Sequence, residues 1–201
     1  KNFIRYAAQF LKNTFIRNKL EFLIFFVTSD CNCRCNICFY WQELNKLKGL
    51  SIDEIRKISK SIGKFRTLLV SGGEPFLRDD LFEVCQQFIK NNKISALTIP
   101  TNGILTKKIA DFCARVLREY PELTLSVSVS IDGFRDLHDS TRGIAGVFDK
   151  ATETLRELLK LKSHYKNLEL IVNTVITNRN IGQLAYFMSF IFDNFDIDYH
   201  D

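Results

Sequence analysis

Four cysteines, Cys31, Cys33, Cys35 and Cys38, lie within eight residues directly after an apolar run. Three of them form C-x3-C-x2-C. Thiolates this close together on a loop hold a metal or a cluster more often than they serve a core. Three arrangements are open. Structural zinc takes four ligands, and the only local fourth is Cys33, which makes a cramped tetrahedral cage. A ferredoxin-type carrier also takes four cysteines, and only Cys85 and Cys113 remain. Both sit in helical, apolar surroundings and read as core thiols. The third arrangement is a cubane held by three cysteines, with one iron left open for something else. Catalytic zinc sites follow the same logic, where a vacant position marks chemistry.

The elements that must position these thiols alternate. Residues 22–28 are almost wholly apolar, as in a strand buried on both faces. An amphipathic helix over 51–62 opens with Ser51 and Glu54 in a capping-box pattern. Strands follow at 66–71, 95–101, 123–131 and 168–177, and 197–200 reads as the start of a sixth. Helices are expected at 79–91, from Thr106 as cap to Pro121, at 147–164 and at 181–194. This alternation predicts an α/β fold with a parallel sheet. In 123–131, Thr124, Ser126, Ser128 and Ser130 share one face, and Leu125, Val127, Val129 and Ile131 the other. The apolar face should pack on helices; the hydroxyl face either lines a polar cavity or opens to water. Turn signals end each of the first four strands: the cysteine loop, SGGEP at 71–75, TNG at 101–103 and SIDG at 130–133. Parallel α/β sheets place ligands on that edge, so the motifs converge on one site.

Composition bounds the function class. The chain has 201 residues, 46% hydrophobic and 25% charged, which is ordinary for a globular domain. No apolar run reaches the length of a membrane span, and no export signal is expected. The crowded cysteines do not resemble a secreted disulfide framework, so a reducing cytoplasm is the expected compartment. Net charge is +5, and Lys1, Arg5, Lys12, Arg17 and Lys19 account for it, since the remaining 23 basic and 23 acidic residues cancel. With Phe3, Ala7, Phe10, Leu11 and Phe15 at helical spacing, residues 1–21 are expected to form a basic amphipathic helix. It would dock on the domain or, less simply, touch a membrane surface or an anionic substrate. No nucleic-acid partner is expected.

The cysteine motif after the first strand, GGEP after the second, TNG after the third and SIDG after the fourth together resemble the radical S-adenosylmethionine (SAM) superfamily. The likeness is to members such as molybdopterin-precursor cyclases, sulfatase-maturing enzymes and peptide-modifying enzymes, and it covers roughly residues 22–200. It implies an incomplete parallel (β/α)6 barrel, with five full units and the start of a sixth over 22–201. Because the chain stops at the sixth strand, it is expected to be part of a longer protein in which a further cluster domain often follows. The resemblance implies a [4Fe–4S] cluster on Cys31, Cys35 and Cys38, with SAM on the open iron. Phe39 would lie near the adenine, and Gly72, Gly73 and Glu74 near the methionine ammonium. Thr101, Asn102 and Ser130 would meet the ribose hydroxyls. Arg142 would take the methionine carboxylate, and Asn173 either ribose or carboxylate. Asp132 reads as capping the turn before Gly133. Reductive cleavage of SAM to a 5′-deoxyadenosyl radical is implied, with flavodoxin or ferredoxin as electron donor and a small molecule or peptide as substrate. Two departures stand out. Ile37 occupies a position that is often aromatic, with Phe39, Tyr40 and Trp41 following. Cys33 is extra and reads as a bystander.

Overall fold

A computed structural model describes residues 20–201. The basic helix expected over 1–21 lies almost wholly outside them; Leu20 and Glu21 lead straight into the first strand.

Six strands form one parallel sheet in chain order: β1 (Phe22–Thr28), β2 (Thr67–Gly72), β3 (Ala96–Thr101), β4 (Thr124–Ser130), β5 (Leu168–Asn173) and β6 (Tyr199–His200). Helices α1 (Ile52–Ser61), α2 (Leu81–Asn92), α3 (Thr106–Glu119), α4 (Arg135–Arg142), α5 (Val147–Lys162) and α6 (Leu184–Asn194) connect them. Sequential order with parallel pairing gives a sheet curling towards a barrel, and β1 and β6 remain its edges. The incomplete parallel barrel expected from the sequence is therefore the observed architecture.

Strand periodicity decides which face is filled. Leu125, Val127, Val129 and Ile131 are fully buried and pack with Leu97, Ile99, Leu170 and Val172 against the helices. Cys85 and Cys113 are buried in the same core. The alternate positions face the concave side, where Ser126 donates to the Glu169 carboxylate at 2.7 Å. Ser51 caps α1 as expected, and Glu54 returns a bond to the Ser51 backbone at 2.8 Å.

Three local readings change. Thr106 is the first helical residue rather than the cap, and its hydroxyl accepts from Thr154. Helix α2 begins at Leu81 rather than at 79, and Asp79 and Asp80 ahead of it pair with Lys108 and Arg78. Strand β5 stops at Asn173, four residues early. Beyond it Thr174 donates to the Ile131 carbonyl, the Asp132 carboxylate takes the Val175 N–H, and Asn180 takes the Thr177 N–H. Those side chains bend the backbone away from the ladder.

Candidate cofactor site

The cysteine loop leaves β1 and is held from three sides. Asn45 accepts from Cys31 N–H at 3.0 Å and donates to the Cys31 carbonyl. Ser29 exchanges hydrogen bonds with the backbone of Leu47. The N–H groups of Arg34 and Asn36 donate to the carbonyls of Arg142 and Thr141 at 3.0 Å each, docking the loop on the free carbonyls at the end of α4. Asn102 Nδ2 donates to Asn32 Oδ1 at 2.7 Å, tying the loop to the end of β3.

Beside the loop, the β2 end comes so close that only glycine fits. A Cβ on Gly72 would strike the Thr28 carbonyl, and one on Gly73 the Asp30 carbonyl. The Gly73 N–H bonds Thr28 O at 2.9 Å, and the Glu74 N–H bonds Asp30 O at 2.7 Å. Gly72 also has φ +140°, open mainly to glycine.

A cleft of about 190 Å³ opens at this edge, and the twelve residues expected to meet the cluster or SAM line it. The thiols of Cys31, Cys35 and Cys38 stand on one side, with Phe39 at the mouth, 84% exposed and edge-on to Phe26. Gly72, Gly73 and Glu74 line the cleft next to Thr101 and Asn102, together with Ser130, Arg142 and Asn173. A larger groove of about 860 Å³ lies between α3 and α5, far from these thiols. It is lined by charged side chains that pair among themselves, such as Lys107 with Asp111 and Lys150 with Glu153.

Cys33 is 2% exposed, yet it lies against Cys31 and Cys35 rather than apart from them. Its N–H reaches Cys31 Sγ at 3.4 Å. Hydrogen bonding to Cys31 and Cys35, together with burial, pushes the Cys33 thiol up, so it keeps its proton. The same contacts act in reverse on its neighbours. The Cys33 hydrogen bond, then the Arg142 charge, bring Cys35 down to about 6 against burial, and Cys31 is also lowered. Burial raises Cys38. Cys33 thus sits between the other two sulfurs as a hydrogen-bond donor to both.

Among the described residues, no group of three or more His, Cys, Asp or Glu side chains is gathered as one metal ion requires. A cubane asks for a looser set, because each thiolate takes a different iron. Three soft sulfur donors on one loop, two of them held towards the thiolate, suit an iron–sulfur cluster.

Several polar residues turn out to be engaged with one another. Glu74 is 2% exposed, and its carboxylate accepts from Thr101 Oγ1 at 2.8 Å, Asn102 N at 2.8 Å and Phe76 N at 3.3 Å. Burial pushes it up to about 7 even against those donors. Glu74 thus stitches β2 to β3, and the side chains of Thr101 and Asn102 are spent on Glu74 and Asn32. Ser130 and Asn173 face each other in register across β4 and β5, and neither side chain makes a hydrogen bond among the described residues.

Asp132 does more than cap a turn. It is 1% exposed, and Oδ2 lies 2.8 Å from Arg142 Nε. Burial opposes its charge, but the His138 imidazole, with Nδ1 3.6 Å from Oδ2, and the Arg142 charge hold it below the usual carboxylate range. Arg142 Nη1 in turn reaches Cys35 Sγ at 3.8 Å. Sequence reasoning did not single out His138, Asn180, Asn32 or Asn45, which hold these groups. They lie in the connections that follow β1, β4 and β5, where no local pattern marks them.

Comparison with known proteins agrees with this geometry. Residues 25–191 match the family model described as the Radical SAM superfamily. The pre-heme d1 synthase of Dinoroseobacter shibae is 29% identical over 165 residues, 81% of this chain and 38% of that protein. The GTP 3′,8-cyclase of Pasteurella multocida is 28% identical over 145 residues, 65% of this chain and 42% of that protein. The chain thus spans less than half the length of these relatives. Among solved structures, native anSMEcpe with bound AdoMet superposes with a TM-score of 0.69 at 23% identity, over 90% of this chain and 50% of the other. Streptococcus suis SuiB bound to the precursor peptide SuiA gives 0.71 at 17% identity, over 99% and 42%. At such identities the likeness speaks for the fold. With the family model matched over most of its length, this chain belongs to the radical SAM superfamily.

Proposed function

We propose that this chain is the SAM-cleaving core of a radical SAM enzyme, with a [4Fe–4S] cluster on Cys31, Cys35 and Cys38. The observation that carries this reading is the convergence of three sulfur donors and the three further strand-end motifs on one cleft. When bound, the cluster supplies the electron that cleaves SAM to methionine and a 5′-deoxyadenosyl radical, which takes hydrogen from a substrate. The protein's part is binding, orientation and exclusion of side reactions. Gly72 and Gly73 bring backbone carbonyls to the cleft, where an ammonium group would find acceptors. Ser130 and Asn173 carry free hydrogen-bonding groups for ribose hydroxyls. Thr101, Asn102 and Glu74 act at one remove by holding the β2 end in place. Phe39 offers an exposed ring beside Cys38 for the adenine. Arg142 keeps Nη2 for the methionine carboxylate while Nε and Nη1 are engaged.

The relatives are named for unlike reactions, a synthase and a cyclase. What they share with this chain is therefore the radical-generating part, and the hydroxyl-lined concave face is where a small-molecule or peptide substrate would sit. The electron donor would be a flavodoxin or ferredoxin, in a reducing cytoplasm. Among the described residues no helix is long and apolar enough to cross a membrane.

Anaerobic reconstitution is expected to give one [4Fe–4S] cluster per chain and reductant-dependent 5′-deoxyadenosine. Replacing Cys31, Cys35 and Cys38 together by Ala should abolish both. One zinc per chain with no iron or sulfide, in protein purified without oxygen, would instead identify a non-catalytic metal module.

A further inference from the structure

We propose that Arg142 is a positioning residue that raises the reduction potential of the cluster through the sulfur of Cys35, and that Asp132 aims and moderates it. This rests on the reading that Cys35 is a cluster ligand.

Two independent contacts join Arg142 to the cysteine loop. Its side chain reaches Cys35 Sγ through Nη1 at 3.8 Å, and its carbonyl accepts from Arg34 N at 3.0 Å. Helix α4 therefore holds both the backbone next to Cys35 and the charge next to its sulfur. Gly143, which ends α4 at φ +70°, permits the approach, since a Cβ there would strike the Arg34 carbonyl. The guanidinium is nearly enclosed, its side chain only 11% exposed, so solvent screens it little.

Asp132 is itself held at three points, by α4 and by the connection after β5. Its N–H donates to His138 Nδ1 of α4 at 3.1 Å. Its Oδ1 accepts from the Val175 N–H after β5 at 3.3 Å. Its carbonyl accepts from Asn180 Nδ2 at 2.9 Å. The 2.8 Å approach to Arg142 Nε is an ion pair without an aligned N–H, so Asp132 acts on the guanidinium chiefly through charge. One neutral donor each on Oδ1 and the carbonyl leaves Oδ2 facing Arg142 Nε at 2.8 Å, with His138 Nδ1 farther off at 3.6 Å.

The consequence follows from sign. Reduction adds an electron to a centre that already carries three thiolates. A cation at one ligand sulfur stabilises the reduced form more than the oxidised form, and hydrogen bonds and charge near the sulfurs are known levers on such potentials. Replacing Arg142 by a neutral residue removes that cation and leaves Asp132 unopposed, so both changes drive the potential negative. Neutralising Asp132 leaves Arg142 unopposed and drives it positive. Loosened packing has no reason to give opposite signs.

The experiment is an EPR-monitored redox titration of the cluster-loaded chain without SAM, comparing the unaltered protein with Arg142→Gln, Arg142→Lys and Asp132→Asn. Iron and sulfide content comes first. If the unaltered chain takes up no cluster, the functional reading fails and not this inference alone. With cluster loaded, Arg142→Gln should lower the reduced-to-oxidised ratio at fixed potential by tenfold or more, about 59 mV for a one-electron couple. Arg142→Lys should restore part of the shift, and Asp132→Asn should move it the other way. If Arg142→Gln takes up no cluster, the sign of the Asp132→Asn shift decides. Unchanged potentials, or shifts of the same sign for Arg142→Gln and Asp132→Asn, overturn the proposal. So does an Arg142→Gln variant that loses only SAM affinity.

Discussion

Two buried carboxylates stand at the C-terminal ends of parallel strands, and the protein treats them oppositely. Glu74, after β2, meets only neutral donors: a hydroxyl and two backbone N–H groups. Desolvation wins there, and its carboxyl is pushed up to about 7. Asp132, after β4, is equally buried but has a guanidinium at 2.8 Å and an imidazole at its backbone, and it is held below the ordinary range. The outcomes differ because Asp132 has the His138 imidazole and the Arg142 charge close by, whereas desolvation outweighs the neutral donors around Glu74. The contrast also gives the two edges different work. One is a neutral stitch that shapes the cleft; the other is a charged strut that ends on a cysteine sulfur.

The sharpest way to break the contrast is Asp132→Asn. It leaves Arg142 buried without its counter-charge, and loss of one partner from such a pair costs roughly 3–5 kcal/mol. Urea denaturation is expected to show that loss at neutral pH. A loss below about 1 kcal/mol would mean that Arg142 finds solvent when unpaired.

Glu74→Gln should cost less at neutral pH, about 1–3 kcal/mol, because one of its three donors then meets an amide N–H instead of an oxygen. Its pH dependence is more telling. The folded protein holds the Glu74 proton more tightly than the unfolded chain, whose ordinary value is 4.5. Stability from this group is therefore complete below 4.5 and declines as pH rises towards about 7. Asp132, with its value lowered, contributes above its ordinary 3.8 and loses that contribution only in stronger acid. Urea midpoints taken from pH 4.5 to 7 should fall for the unaltered protein and be flatter for Glu74→Gln. Parallel slopes would mean that Glu74 is ionised throughout.

Ser126→Ala is the smallest change and the control. It removes the hydrogen bond to Glu169 on the concave face, about 1 kcal/mol, without touching either strand-end acid. Cluster content should be unchanged; a fall would extend the site's support down the face of the barrel.

Much of this was legible in the chain. The twelve residues that the family resemblance implies all line one cleft, because turn chemistry is local and a parallel sheet brings its strand ends to one edge. The spacing also set Cys33 apart from the C-x3-C-x2-C motif of the other three cysteines. Its actual place between Cys31 and Cys35 was not readable, since that depends on how the loop folds back on itself. Helix α4 escaped notice as well. It is only eight residues long and mostly polar, and its structure is fixed by Phe134, Gly143 and the loop docked on its end.

The sequence by itself determined the alternation of strand and helix, the edge that carries the site and the sulfur donors that equip it. Each of these follows from residue type and spacing along a few positions. Only the tertiary structure decided which polar side chains remain free. Glu74, Thr101, Asn102 and Arg142 all bind partners 27 to 107 residues away, whereas Ser130 and Asn173 bind none among the described residues. The choice depends on distances across strand ends, where desolvation and nearby charge compete, and no local pattern in the chain encodes those distances.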